Sequence, residues 1–147
     1  LLLQVHRTLV QSDDHVFEAV FALVPVELEA GTPLVITPSV TQPQRNATVY
    51  GGGVDPLGLS MRFGKGPWRP FWNASGGLRW FLDRVPVPRA QRFNFAADVG
   101  FGLYHTLSPH YAMSIGLDLH HISNANLAEK NPGVNFLMLT LGFWPTH

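Results

Sequence analysis

The sequence predicts an all-β chain, and more narrowly a small antiparallel transmembrane β-barrel. Three observations carry this. Apolar residues alternate with small or polar ones along almost the whole chain, the period of a strand with one greasy face. The clearest alternating segments run about 11–13 residues, close to what a tilted strand needs to cross a bilayer. Aromatic residues gather near segment ends, at Trp68, Trp72, Trp80, Tyr104, Tyr111 and Trp144, in the manner of interfacial girdles.

Composition agrees. At 147 residues the chain is expected to form one domain. Charged residues make up 14%, below the roughly 25% usual in soluble domains. Ten basic residues balance ten acidic ones, so the basic excess of a nucleic-acid binder is absent. Hydrophobic residues reach 46%, yet mean hydropathy is only +0.08, because alternation dilutes them. No apolar run approaches the roughly 18 residues of a membrane helix. The absence of cysteine excludes disulfides and thiolate metal sites. The opening Leu1-Leu2-Leu3 reads as trimmed or mature sequence, N-terminally incomplete as a barrel.

Seven strands can be read in order. Residues 1–10 place Gln4, His6 and Thr8 on one face, and residues 15–28 place Phe17, Ala19, Phe21 and Leu23 opposite Glu18. Residues 57–63 set Leu57, Leu59, Met61 and Phe63 against Gly58, Ser60 and Arg62, with an expected extension back towards Ala47. Residues 70–82 align Trp72, Ala74, Leu78, Trp80 and Leu82 against Asn73, Ser75, Gly77 and Arg79. Residues 92–104 align Phe93, Phe95, Ala97, Val99, Phe101 and Leu103 against a small, polar face. Residues 111–122 set Tyr111, Met113, Ile115, Leu117 and Leu119 against Ala112, Ser114, Gly116, Asp118 and His120. Residues 135–144 put Leu137, Leu139, Leu141 and Phe143 on one side.

The connections carry turn chemistry, and short ones (11–14, 64–67, 107–109) alternate with longer ones (29–46, 83–89, 124–133). Bacterial barrels show this asymmetry and have an even strand count. An eighth strand is therefore expected, lost before Leu1 or hidden ahead of Asn46. Such a barrel turns its apolar face to lipid and fills its narrow lumen from the other face. Glu18, Arg62, Arg79, Arg92, Asp98 and Asp118 are then lumen residues that need pairing or water. Gly51-Gly52-Gly53 lacks the Lys-Ser/Thr of a phosphate loop and reads as a bend, a bulge or close backbone packing. A soluble β-sandwich or ligand-binding barrel is the competing fold, with the apolar face turned inward.

His121-Ile122-Ser123-Asn124 breaks the pattern. By strand parity His121 and Ser123 continue the apolar face, and Asn135 lies in phase with Leu137 and Leu139 on the next strand. Polar groups there are costly against lipid. An imidazole can activate a serine hydroxyl while a third group fixes its tautomer. Residues two apart on a strand have their bases about 7 Å apart, a gap that a histidine spans. Asn124 follows the serine and is placed to donate to a developing oxyanion. The alternative is a hydrated strand end at headgroup level.

The run from His121 through Asn124-Ala125, then Asn131-Pro132-Gly133-Val134-Asn135 and a last apolar strand, resembles the C-terminal signature of the lipid A 3-O-deacylase family. "RPFWNASGGLRWF" and "RFNFAADVGFGLYH" are similar to its middle strands. The resemblance implies an eight-stranded barrel in the outer membrane of a Gram-negative-type bacterium. It implies lipid A or lipopolysaccharide as substrate and a serine esterase working on the membrane-facing wall. His121 is then the base, Ser123 the nucleophile and Asn124 the oxyanion contributor, with no cofactor. One departure stands out: the family's third triad member is glutamate, and Asn135 occupies that position. Glu129 is an alternative third member.

His120 and His121 point to opposite faces of a strand, which argues against a shared metal ion. Two functions stay open: a lipid A esterase, or a non-catalytic barrel of the same ancestry serving as scaffold or subunit. Protein partners and a homodimer are not decided by the sequence.

Overall fold

A computed structural model describes residues 1–29, 48–85, 89–129 and 133–146. They form seven strands: β1 (Leu3–Gln11), β2 (His15–Glu29), β3 (Val49–Phe63), β4 (Trp68–Val85), β5 (Gln91–Ser108), β6 (Tyr111–Ser123) and β7 (Val134–Pro145). Every neighbouring pair is antiparallel, in one sheet ordered β1 to β7. Each strand of the sequence reading is present, and β3 does extend back, as far as Val49. The expected eighth strand falls outside the described residues, as do most of the 29–46 connection and the Asn131-Pro132 pair.

The sheet curls strongly. His120 on β6 meets Glu27 on β2 at 3.1 Å across the concave side. The edge strands meet through the rings of His6 and Trp144, 4.6 Å apart, rather than through a ladder among the described residues.

Alternation decides which face is which. On β7 the outer residues Leu137, Leu139, Leu141 and Phe143 are 66–74% exposed. The inward residues Glu18, Asp55, Ser60, Arg79, Asp118 and His120 are buried. A soluble barrel has the reverse arrangement, so the apolar face belongs against lipid. Arg79 holds this interior together: it pairs with Asp55, with Glu27 at 2.5 Å and more loosely with Asp98 at 3.9 Å. His120 bridges Asp98 (2.5 Å) and Glu27. Nearer the short turns, Glu18 takes His6 at 3.0 Å and Arg62 at 2.7 Å, while Thr140 donates to Asp118 at 2.7 Å. Gly77 is required here, since a Cβ would lie 2.0 Å from Asp55 Oδ1.

Two prolines redirect this interior. The β2–β3 register slips between Val24 and Glu27, around Pro25, and the β3–β4 register slips between Val54 and Leu57, around Pro56. Proline lacks the N–H for a ladder and sits at bulges. Each slip reverses parity, which turns Glu27 and Asp55 inward. The glycine run 51–53 lies opposite the Pro25 slip in tight packing: a Cβ on Gly53 would fall 1.9 Å from the Leu78 carbonyl.

Three expectations are corrected. Tyr104 is buried, with the Arg62 guanidinium 4.6 Å over its ring, and so is no girdle residue. Trp144 likewise follows the inward phase, donating to Ser114 at 3.3 Å. Arg92 is exposed rather than in the lumen, because it stands at the mouth end of β5. Trp68, Trp80 and Tyr111 are exposed at strand ends as a girdle requires.

Candidate active site

The site lies at the long-loop end, on the last outward positions of β6. Ile122 is fully buried and packs with Phe81 and Val85 inside the sheet, with Val49 and Phe136 against them. That apolar plug anchors the strand from behind. Parity then sends His121 and Ser123 to the outer wall, below which Leu119, Leu117 and Ile115 continue as exposed apolar residues. His120 projects to the other side, into the charged interior.

Residue register brings the third group in. His121 pairs with Asn135 across β6 and β7, and His121 Nδ1 lies 2.9 Å from Asn135 Oδ1. A carbonyl oxygen only accepts, so this orientation of the amide favours the neutral tautomer with its proton on Nδ1 and a lone pair on Nε2. Glu129, the alternative third member, is engaged elsewhere, on Arg89 at 3.2 Å.

Local backbone supports the arrangement. Ala125 (φ 49°) and Asn126 (φ 63°) are left-handed, and the Leu127 N–H returns to the Asn124 carbonyl at 2.9 Å. These are the φ signs and the bond of a type I′ turn, starting one residue after Ser123. Asn124 itself is fully buried. Across the loop, Gly133 has φ 59°, and a Cβ on it would lie 3.1 Å from His121 Cε1. Sequence reasoning saw Gly133 only as part of a signature; its positive φ and its closeness to the imidazole are structural facts.

The wall beside His121 is low. Ala97 is its register partner on β5, and Gly76 is the partner of Ala97 on β4. A Cβ on Gly76 would meet only the Ala96 carbonyl, at 4.0 Å. Phe95 and Leu78 are larger neighbours on the Ser123 row, and Val99 is the larger neighbour on the Leu119 row.

A curled antiparallel sheet with an apolar exterior and a charged interior defines a class, a membrane-barrel-type protein, and here His121, Ser123 and Asn135 stand on its outer wall. The model of the lipid A 3-O-deacylase (PagL) family matches residues 39–144, and the chain belongs to that family. The family is one of outer-membrane ester hydrolases acting on lipid A. No curated protein and no solved structure matches.

Proposed function

We propose that this chain is a serine esterase that removes an ester-linked acyl chain from lipid A at the outer wall of the outer membrane. Ser123 Oγ attacks the ester carbonyl as His121 Nε2 takes its proton. Asn135 holds the imidazole by Nδ1, and Asn124 donates to the oxyanion. Collapse of the tetrahedral intermediate expels the sugar hydroxyl, which receives the proton from His121. Water, deprotonated by the same imidazole, then releases the fatty acid and restores Ser123.

The observation that carries this reading is the 2.9 Å contact between His121 and Asn135 on an otherwise apolar exterior. With the amide oxygen turned to Nδ1, this contact favours the tautomer that base catalysis needs. The test is deacylation of purified lipid A in micelles by the intact protein, Ser123→Ala and Asn135→Glu, with products read by mass spectrometry. Loss of one acyl chain that depends on Ser123 supports the enzyme; no release by any folded variant overturns it.

The amide at position 135 supports a second reading, a non-catalytic barrel of the same family acting as scaffold or subunit. An amide cannot stabilise imidazolium by charge. Activity gained only on Asn135→Glu marks a disabled triad on a competent scaffold.

A further inference from the structure

We propose that Glu27 on β2 is a positioning residue for the His121/Ser123 pair, acting across the interior through His120, an inference that rests on the esterase reading above for its effect on rate. The pair stands on the last rungs of β6: the ladder to β5 ends at Phe95 and Ser123, and the ladder to β7 ends at Ile122 and Val134. Strand ends fray, so backbone pairing holds these two positions less firmly than the middle of the sheet. The inward side chains beside them supply the rest. Ile122 does so by packing on Phe81 and Val85. His120 does so by polar contacts: its side chain is 3% exposed, with Nδ1 2.5 Å from Asp98 Oδ1 and Nε2 3.1 Å from Glu27 Oε1. Asp98 is the register partner of His120, so that contact repeats the β5–β6 ladder. Glu27 comes from the opposite wall, and its contact ties the end of β6 that carries Ser123 to β2.

Glu27 is itself held in place. Its second oxygen, Oε2, is 2.5 Å from Arg79 Nε, so both carboxylate oxygens are engaged on the concave side. It faces inward because the β2–β3 register slips around Pro25. The glycine run seats that slip: a Cβ on Gly52 would lie 2.8 Å from the Val24 carbonyl and 3.2 Å from that of Pro25. Gly51 serves the other anchor, since a Cβ there would lie 2.5 Å from the Phe81 ring, which packs with Ile122. A side chain at either glycine would displace one of the two inward anchors that flank His121. Buried ion networks are a weak source of stability, because apolar residues of similar volume do as well. Fixing register is their best-attested use, and the register fixed here is that of the strand end bearing the nucleophile and its base.

The test uses the full chain in uncharged detergent micelles and two substitutions that separate reach from charge. E27Q keeps the length and a carbonyl oxygen for His120 Nε2 but loses the charge; E27D keeps the charge and is one methylene too short. Amide hydrogen exchange at residues 121–123 is followed by NMR, and kcat and KM for lipid A deacylation are measured beside it. E27D is expected to speed that exchange about tenfold and to lower kcat about tenfold with KM unchanged, because misplaced reacting groups cost rate and not binding. E27Q is expected to keep most of both. E18D is the control: it shortens the other buried carboxylate of β2, which meets His6 and Arg62 towards the short turns, and should leave exchange at 121–123 as it was. Unchanged exchange in E27D overturns the proposal, and so does faster exchange with an unchanged kcat in an active protein. Equal losses in E27Q and E27D overturn it in favour of a charge effect, and an equal loss in E18D overturns it in favour of general loosening. If the intact protein releases no acyl chain, the esterase reading fails, and exchange alone decides whether Glu27 holds the end of β6.

Discussion

His121 and Asn135 are register partners on β6 and β7, and Nδ1 of the first lies 2.9 Å from Oδ1 of the second. The amide supplies the acceptor that a carboxylate supplies in a serine triad, but not its charge. It can also rotate by half a turn and present NH₂, which stabilises the tautomer protonated on Nε2 and removes the base. Replacing the triad carboxylate by an amide costs a serine protease about 10⁴-fold in rate. The reverse change, Asn135→Glu, is therefore expected to raise kcat by about 10² or more. Asn135→Ala removes the acceptor and is expected to lower kcat below that of the intact protein. Steady-state deacylation rates of the three proteins check both directions, and a fall on Asn135→Glu would refute this account of the triad.

Gly133 carries a second constraint on the same ring. Its φ of 59° costs an L-residue about 1–2 kcal/mol, and its Cβ would press on His121 Cε1 at 3.1 Å. Gly133→Ala is expected to lower kcat with little change in KM, because it shifts the imidazole and not the lipid. Ala125→Gly is the control: it relieves a left-handed alanine (φ 49°) in the turn after Ser123 and should leave kcat near its starting value. Kinetics on both variants, split into kcat and KM, separate ring displacement from loop strain.

The strands were legible because each shows one face to lipid and the other to the lumen, which imprints a strict period of two. The outer position of His121, Ser123 and Asn135 followed from that parity alone. Glu27 and Asp55 were not legible as interior residues, because simple alternation sends them outward. The signal was present in Pro25 and Pro56, which interrupt the ladders and reverse the phase. Tyr104 and Trp144 were misread for a related reason: aromatics near strand ends suggest a girdle, but their phase turns them inward, where Arg62 and Ser114 occupy them. The contact of Gly133 with His121 depends on how the 124–133 connection folds back, which no strand period encodes.

Arg79 is the cation on which three interior carboxylates, Asp55, Glu27 and Asp98, converge. Removing it leaves Asp55 without its cation and Glu27 and Asp98 with His120 between them, and breaking such a buried group costs about 3–5 kcal/mol. Arg79→Leu is expected to lower the midpoint of urea unfolding in micelles and to weaken the heat-modified gel shift of the folded barrel. Adding Asp55→Asn should return part of the loss, since it deletes one orphaned charge. A double-mutant cycle reads that coupling, and strict additivity would show that the network is not a unit.

The furrow beside His121 exists because Ala97 and Gly76 are small where their neighbours Phe95, Leu78 and Val99 are not. Ala97 is exposed on the outer wall, so a larger apolar side chain there disturbs no core and remains compatible with lipid. Ala97→Phe should therefore fold and insert normally. Its ring would fill the space next to the imidazole that an acyl chain must cross to bring its ester to Ser123. The expected outcome is a KM for lipid A raised about tenfold or more, the effect of about two displaced methylenes at about 0.8 kcal/mol each. Hydrolysis of a short-chain ester, which needs less of the furrow, should fall much less. The ratio of the two activities is the measurement. An equal loss on both substrates would place the ring's effect on His121 itself, and no loss on either would mean that the acyl chain approaches Ser123 from the β7 side instead.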